Sequence, residues 1–162
     1  MTPEIFFENA KQLIGLPYSR CDCIGVVRRS LGIQCQGTNW LWRSITNSSK
    51  YRYLQYRSVD MEAIVDGAVV FRVKWNTIPS GYTDKPDCHH VGVYYKGVVI
   101  QSNPAPGVYE EEFKPAAWSA WGKMKQVDYT AKPAEDPPEE VPQLLTDHEM
   151  IVAIYNAICC RD

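Results

Sequence analysis

The chain has 162 residues, 45% of them hydrophobic, which suits one domain with its own core and a short appendage. Seventeen basic and nineteen acidic residues leave a net charge of -2, so no overall positive field recruits nucleic acid, and no DNA or RNA partner is expected. No window reaches the roughly 18 to 20 apolar residues of a membrane span, so no stable membrane insertion is expected either.

The N-terminus, "MTPEIFFENAKQLIGLPYS", has no basic region followed by a long apolar stretch. The expectation is a product made in the cytoplasm without a signal peptide. Ile5, Phe6, Asn9 and Leu13 lie near helical spacing, with Pro3 tolerated in a first turn and Gly15 at the stop, which predicts a helix over residues 3–14. "LPYSRCD" reads as a loop. "CIGVVRRSLGI" then predicts a second helix, with Ile24, Val27 and Leu31 on one side and Cys23 at its N-terminal end. From Gln36 to Asp60 the chain is rich in aromatics, Arg and Lys but has no clean period, the pattern of an insertion or lid.

The middle of the chain is β-rich. "GAVVFRVKW" (67–75), "HVGVYY" (90–95) and "GVVIQS" (97–102) carry β-branched and aromatic residues between turn signals, and a hairpin is expected at Lys96 and Gly97. Further short strands are expected around "GVYEEEF" and "GKMKQVDY". Helices first and strands later imply an α+β domain over residues 1–131. Residues 132–142, "KPAEDPPEEVP", hold four prolines and four acids and read as an extended linker. Residues 143–162 follow with Thr146 and Glu149 in capping-box spacing, predicting an amphipathic helix suited to docking or self-association.

Cysteines stand at 21, 23, 35, 88, 159 and 160, too sparse and irregular for a disulfide framework, and most are read as free thiols. A cysteine nucleophile must be a thiolate, and its pKa falls at a helix N-terminus beside an imidazole. Cys23 meets the first condition. A zinc site from Cys21, Cys23, Cys88 and His90 has suitable ligand types. A one-residue cysteine spacing with no Cys-x-x-Cys departs from zinc patterns, so neither metal nor cofactor is expected. Of the three histidines, His148 lies beyond the linker. His89 and His90 begin a strand whose alternation sends them to opposite faces, so one of them can face Cys23. His90 shares its face with Gly92 and Tyr94, and Gly92 would leave room for a substrate or another chain. Across the hairpin Gln101 falls near the start of that strand, where its amide oxygen can accept the imidazole N–H and orient the ring.

Trp40 and Trp42, inside the expected insertion, are candidates for lining a glycan or peptide groove, against plain core packing. Packing is the preferred reading of Trp118 and Trp121. Arg43, Lys50, Arg52 and Arg57 suit either an anionic wall polymer or a solvated face.

Taken in order, "GLPYSRCDCIGVV", "DGAVVF" and "HVGVYYKGVVIQS" resemble the NlpC-type cell-wall cysteine peptidases of the papain-like superfamily. Those proteins carry an Asp-Cys-Ser-Gly helix start, a Gly-Asp-Leu-Val-Phe strand and a His-Val-Gly-Ile-Tyr strand. The resemblance covers residues 10–103, extending toward Tyr129. It implies a papain-like fold in which the helical part packs on an antiparallel sheet, and hydrolysis of peptidoglycan stem peptides. By position it implies Cys23 as nucleophile, His90 as base and Gln101 as the polar third residue, with Tyr18 and Asp22 near the substrate. Ile24 stands where relatives carry a Ser that helps recognise a substrate amine, which points to altered substrate choice.

The resulting expectation is a cysteine peptidase or amidase acting by acyl transfer on peptidoglycan fragments or stem peptides. Action at the bacterial wall after release, or as a phage or prophage component, would fit the absence of a leader. The alternative is a non-catalytic wall- or protein-binding module that retains the papain-like frame.

Overall fold

The computed structural model describes residues 1–46 and 52–131. The expected linker at 132–142, the expected helix at 143–162, His148, Cys159, Cys160 and Lys50 lie outside the described residues. Within them, three α-helices combine with an antiparallel six-stranded sheet, the α+β class expected from the order of elements.

Helix α1 (Pro3–Lys11) starts where Thr2 accepts the Ile5 N–H at 3.3 Å and Pro3 fills the first turn. It ends three residues before the expected position 14. There the chain tightens: Leu13 and Ile14 donate to the carbonyls of Ala10 and Lys11, and the turn leaves through Gly15 at φ 88°. Helix α2 (Cys23–Leu31) is capped by Asp22, whose carboxylate accepts the Gly25 N–H at 2.8 Å. It closes at Gly32 in the left-handed region, φ 64°, with the Ile33 N–H donating to Arg28 at 3.0 Å. Its buried side carries Ile24, Val26, Val27 and Leu31.

The segment expected to be an insertion or lid is instead partly core. It forms helix α3 (Thr38–Arg43) and strand β1 (Leu54–Ser58), and buries Leu41, Trp42, Tyr53 and Leu54. Trp42 meets Phe71 edge-on at 5.3 Å between ring centroids, and the Arg57 guanidinium lies 4.2 Å from the Trp42 ring centroid. Arg43 donates to Asp84 and to the carbonyls of Asp84 and Pro86. These aromatic and basic residues are therefore spent on internal contacts, which erases the simple hydrophobic period.

The remaining strands are β2 (Val69–Lys74), β3 (Asp87–Tyr95), β4 (Val98–Asn103), β5 (Gly107–Glu112) and β6 (Ala120–Met124), in sheet order β1-β6-β2-β3-β4-β5. The β3–β4 hairpin turns at Lys96 and Gly97, as expected, with φ 44° and 80°. Strand β3 begins earlier than the expected residue 90 because α3 holds its start. Asn39 accepts the Cys88 N–H at 2.7 Å and donates to the Asp87 carboxylate at 2.9 Å.

Apolar side chains cover both sheet faces. Val69, Phe71, Val91, Val93 and Ile100 pack beneath the helices, while Ala68, Val70, Val99, Trp118 and Trp121 form a second core on the other side. Fully burying a side chain such as Phe71 or Ile100 contributes ~1.5–3 kcal/mol of hydrophobic free energy. Among the described residues no helix is long and apolar enough to cross a membrane.

Candidate active site

Cys23 is the first residue of α2 and is buried on the helix-covered side of the sheet. Asp22 caps the helix and so fixes the direction in which the thiol leaves it. The Val91 backbone N–H on β3 hydrogen-bonds the thiol, and the N–H groups of Ile24 and Cys23 also lower its pKa. Burial outweighs them, and with the nearby Asp22 carboxylate it raises the thiol above its ordinary value. The depressed pKa expected at a helix start is therefore corrected: desolvation, invisible in the sequence, wins over the helix terminus. Tyr18 is a neighbour. Burial, the charges of Cys23 and Asp22, and a hydrogen bond with Cys23 raise its phenol pKa.

His90 and Gln101 meet. His90 Nε2 lies 2.5 Å from Gln101 Oε1, and both side chains are buried. The register explains the contact: Gln101 pairs with Gly92, so His90 and Gln101 are diagonal neighbours on one face of the β3–β4 ladder. With Nε2–H donating to Gln101, Nδ1 keeps the free lone pair of the neutral ring. Burial lowers the His90 pKa, the Gln101 hydrogen bond opposes this, and Arg72 and His89 add to the lowering. A neutral imidazole at neutral pH is the consequence.

Trp118 covers the ring, stacked at 5.8 Å with planes 20° apart. Arg72, paired with His90 across β2 and β3, places its guanidinium 4.8 Å from the Trp118 centroid and leaves its buried Nε without a partner. Gly92 leaves no room for a substrate, contrary to expectation. A Cβ there would stand 2.6 Å from Val99 Cγ1 and 3.1 Å from Trp118 Cη2, so the space is filled by the second core.

The two halves approach β3 from different sides. Cys23 comes from the helical side and touches the backbone of Val91, whereas His90, like Gly92, belongs to the Trp118 face. Among the described residues no hydrogen bond joins Cys23 to His90. They are linked by adjacency along one strand. His89 is exposed, at an irregularity of the β2–β3 ladder.

The other expected site residues are distributed unevenly. Tyr18 and Asp22 flank Cys23, although one Asp22 oxygen is engaged in capping. Ile24 is buried in the helical core. Trp42 is core, and Trp40 is half-buried against Tyr53 and lines a hollow together with Arg28, Gly32 and Cys35, at the C-terminal end of α2. That is about 12 Å along the helix from Cys23, so Trp40 stands at the far end of α2 from the thiol. Among the described residues no group of three His, Cys, Asp or Glu side chains is arranged to hold a metal ion.

Two residues of the site escaped the sequence reading. The Gln101 side-chain amide donates to the Glu111 carboxylate on β5, and Ser102 Oγ donates to the Cys21 carbonyl at 2.5 Å. The usable signal was the β4–β5 register, which places Glu111 opposite Val99 and Tyr109 opposite Gln101. No protein-family model, curated protein or solved structure matches this chain.

Proposed function

We propose that the chain is a cysteine hydrolase of papain-like arrangement, resembling the NlpC-type wall peptidases, that cleaves amide bonds of peptidoglycan stem peptides. The observation that carries the reading is the buried His90–Gln101 pair one residue from the strand amide that holds the helix-start thiol. Since burial keeps both thiol and imidazole neutral, the resting site is an uncharged pair rather than a preformed ion pair.

In the proposed reaction His90 Nδ1 takes the Cys23 proton as sulfur attacks the amide carbonyl. The carbonyl oxygen gains the negative charge and is met by the N–H groups at the start of α2. Collapse breaks the C–N bond, the leaving amine takes the proton from His90, and the acyl group stays on sulfur as a thioester. Water, deprotonated by His90, then releases the acid and restores the thiol. Ring and thiol lie on opposite sides of β3, so the proposed proton transfer requires a rearrangement that brings His90 Nδ1 to the Cys23 sulfur when substrate binds. Tyr18, beside the thiol, is positioned to contact the substrate chain.

The burial of Cys23 and its lack of a hydrogen bond to His90 favour a second reading, a binding module that keeps the frame without the chemistry. A short stem-like peptide carrying an electrophilic carbonyl distinguishes the two. The hydrolase predicts modification of Cys23 alone, mapped by mass spectrometry of a digest and lost in His90→Ala. Equal labelling of several cysteines, or none, supports the binding module.

A further inference from the structure

We infer that Glu111 is a positioning residue for the His90 imidazole, acting through Gln101; the inference rests on the proposed role of His90 as the base for Cys23. Gln101 is fully buried, and each end of its amide is committed: the oxygen to His90 Nε2, the nitrogen to the Glu111 carboxylate. An amide can present either end to a ring. An ionised carboxylate only accepts hydrogen bonds, so Glu111 requires the NH2 end to face it and turns the oxygen toward His90.

That orientation selects a tautomer. Facing an oxygen, Nε2 must carry the proton, which leaves Nδ1 as the basic nitrogen. A reversed amide would donate to Nε2, place the proton on Nδ1 and remove the acceptor that the reaction needs. Glu111 also supplies what a neutral Gln lacks in this role. Its negative charge, one hydrogen bond beyond the amide, polarises the chain toward the imidazolium that forms as the thiol is deprotonated.

The carboxylate is itself held. Tyr109 hydrogen-bonds Glu111, and the Tyr109 hydroxyl receives the Asn103 amide at 2.8 Å. Glu111 is the middle member of three consecutive acids, and strand alternation turns Glu110 and Glu112, both exposed, away from Gln101. One acid of the run therefore reaches the buried amide.

Long-range proton–nitrogen NMR of histidine-labelled protein at pH 8, with His90 assigned from a His90→Gln spectrum, tests this. Wild type should show protonated Nε2 and bare Nδ1. Glu111→Ala should move the ring wholly or partly to the Nδ1–H form, and muropeptide hydrolysis should fall by about 10-fold or more. Glu111→Gln, which can still accept from Gln101, should keep the wild-type tautomer while hydrolysis falls less. An unchanged His90 tautomer in folded Glu111→Ala overturns the inference; should that protein not fold, loss of the wild-type tautomer in Glu111→Gln does so. A Cys23→Ala protein that still hydrolyses muropeptides would instead sink the nucleophile assignment and leave the tautomer result standing, so the two failures are told apart.

Discussion

Ser102 Oγ donates to the Cys21 carbonyl at 2.5 Å, across 81 residues of chain, while its neighbour Gln101 faces the opposite side of the sheet and holds His90. Strand alternation thus lets two adjacent residues of β4 serve both halves of the site. One fixes the turn that delivers Cys23, the other the imidazole. Ser102→Ala leaves a buried carbonyl unpaired and should cost ~1–3 kcal/mol in urea unfolding. It should also loosen the 17–22 turn, read as faster amide exchange there with little change on β5. Unchanged exchange would show that the turn is held by other contacts.

Gly92→Ala should be destabilising by ~1–3 kcal/mol, because the added methyl meets Val99 and the Trp118 ring in a filled core. Since Trp118 stacks on His90, the variant should also alter tryptophan fluorescence and the His90 ring signals. A variant as stable as wild type, with unchanged ring signals, would contradict the packing described for this face.

The buried imidazole gives stability a defined pH dependence. His90 has a lowered folded-state pKa, chiefly from burial, so below its ordinary value of 6.5 the unfolded chain binds its proton first. The contribution is complete above pH 6.5 and is lost as the pH falls from there through the folded-state pKa. Urea midpoints measured between pH 5 and 8 should decline on the acid side, and less steeply in His90→Gln. Parallel curves would mean that His90 titrates as it does in the unfolded chain.

Four described cysteines are buried: Cys21, Cys23, Cys35 and Cys88. Desolvation raises each thiol, Cys35 to about 11. In the folded protein at pH 8 these four should react with a small aromatic disulfide far more slowly than after denaturation. The sign for stability is opposite to that of His90. The contribution is full below the ordinary thiol value of 9.0 and is lost as the pH rises through the folded-state values, so unfolding should become easier in alkali. Rapid labelling of these four in the native state would contradict their burial.

Much of this arrangement was legible in the sequence. The apolar spacing of "CIGVVRRSLGI" set α2 with Cys23 at its start, and "YYKGVVIQS" set the hairpin register that brings Gln101 to His90. Alternation also put His90 on the face of Gly92 and Tyr94. Which face that was could not be read, because β2 and β4 are apolar on both sides and the sheet is covered twice. Strand β1 was hidden by the charge of Arg57, which covers Trp42, and Glu111 by one exposed acid on either side. The raised Cys23 pKa depends on burial, which no spacing reveals.

In the proposed reaction Cys23 carries acyl transfer to water, with His90 as its base. Purified muropeptides incubated with the protein and resolved by mass spectrometry test it most directly. Products differing by one added water at a stem-peptide amide should form with wild type, be abolished in Cys23→Ala, and be reduced by on the order of 100-fold or more in His90→Ala. The same products formed by folded Cys23→Ala, or no cleavage by wild type across the stem peptides, would contradict it.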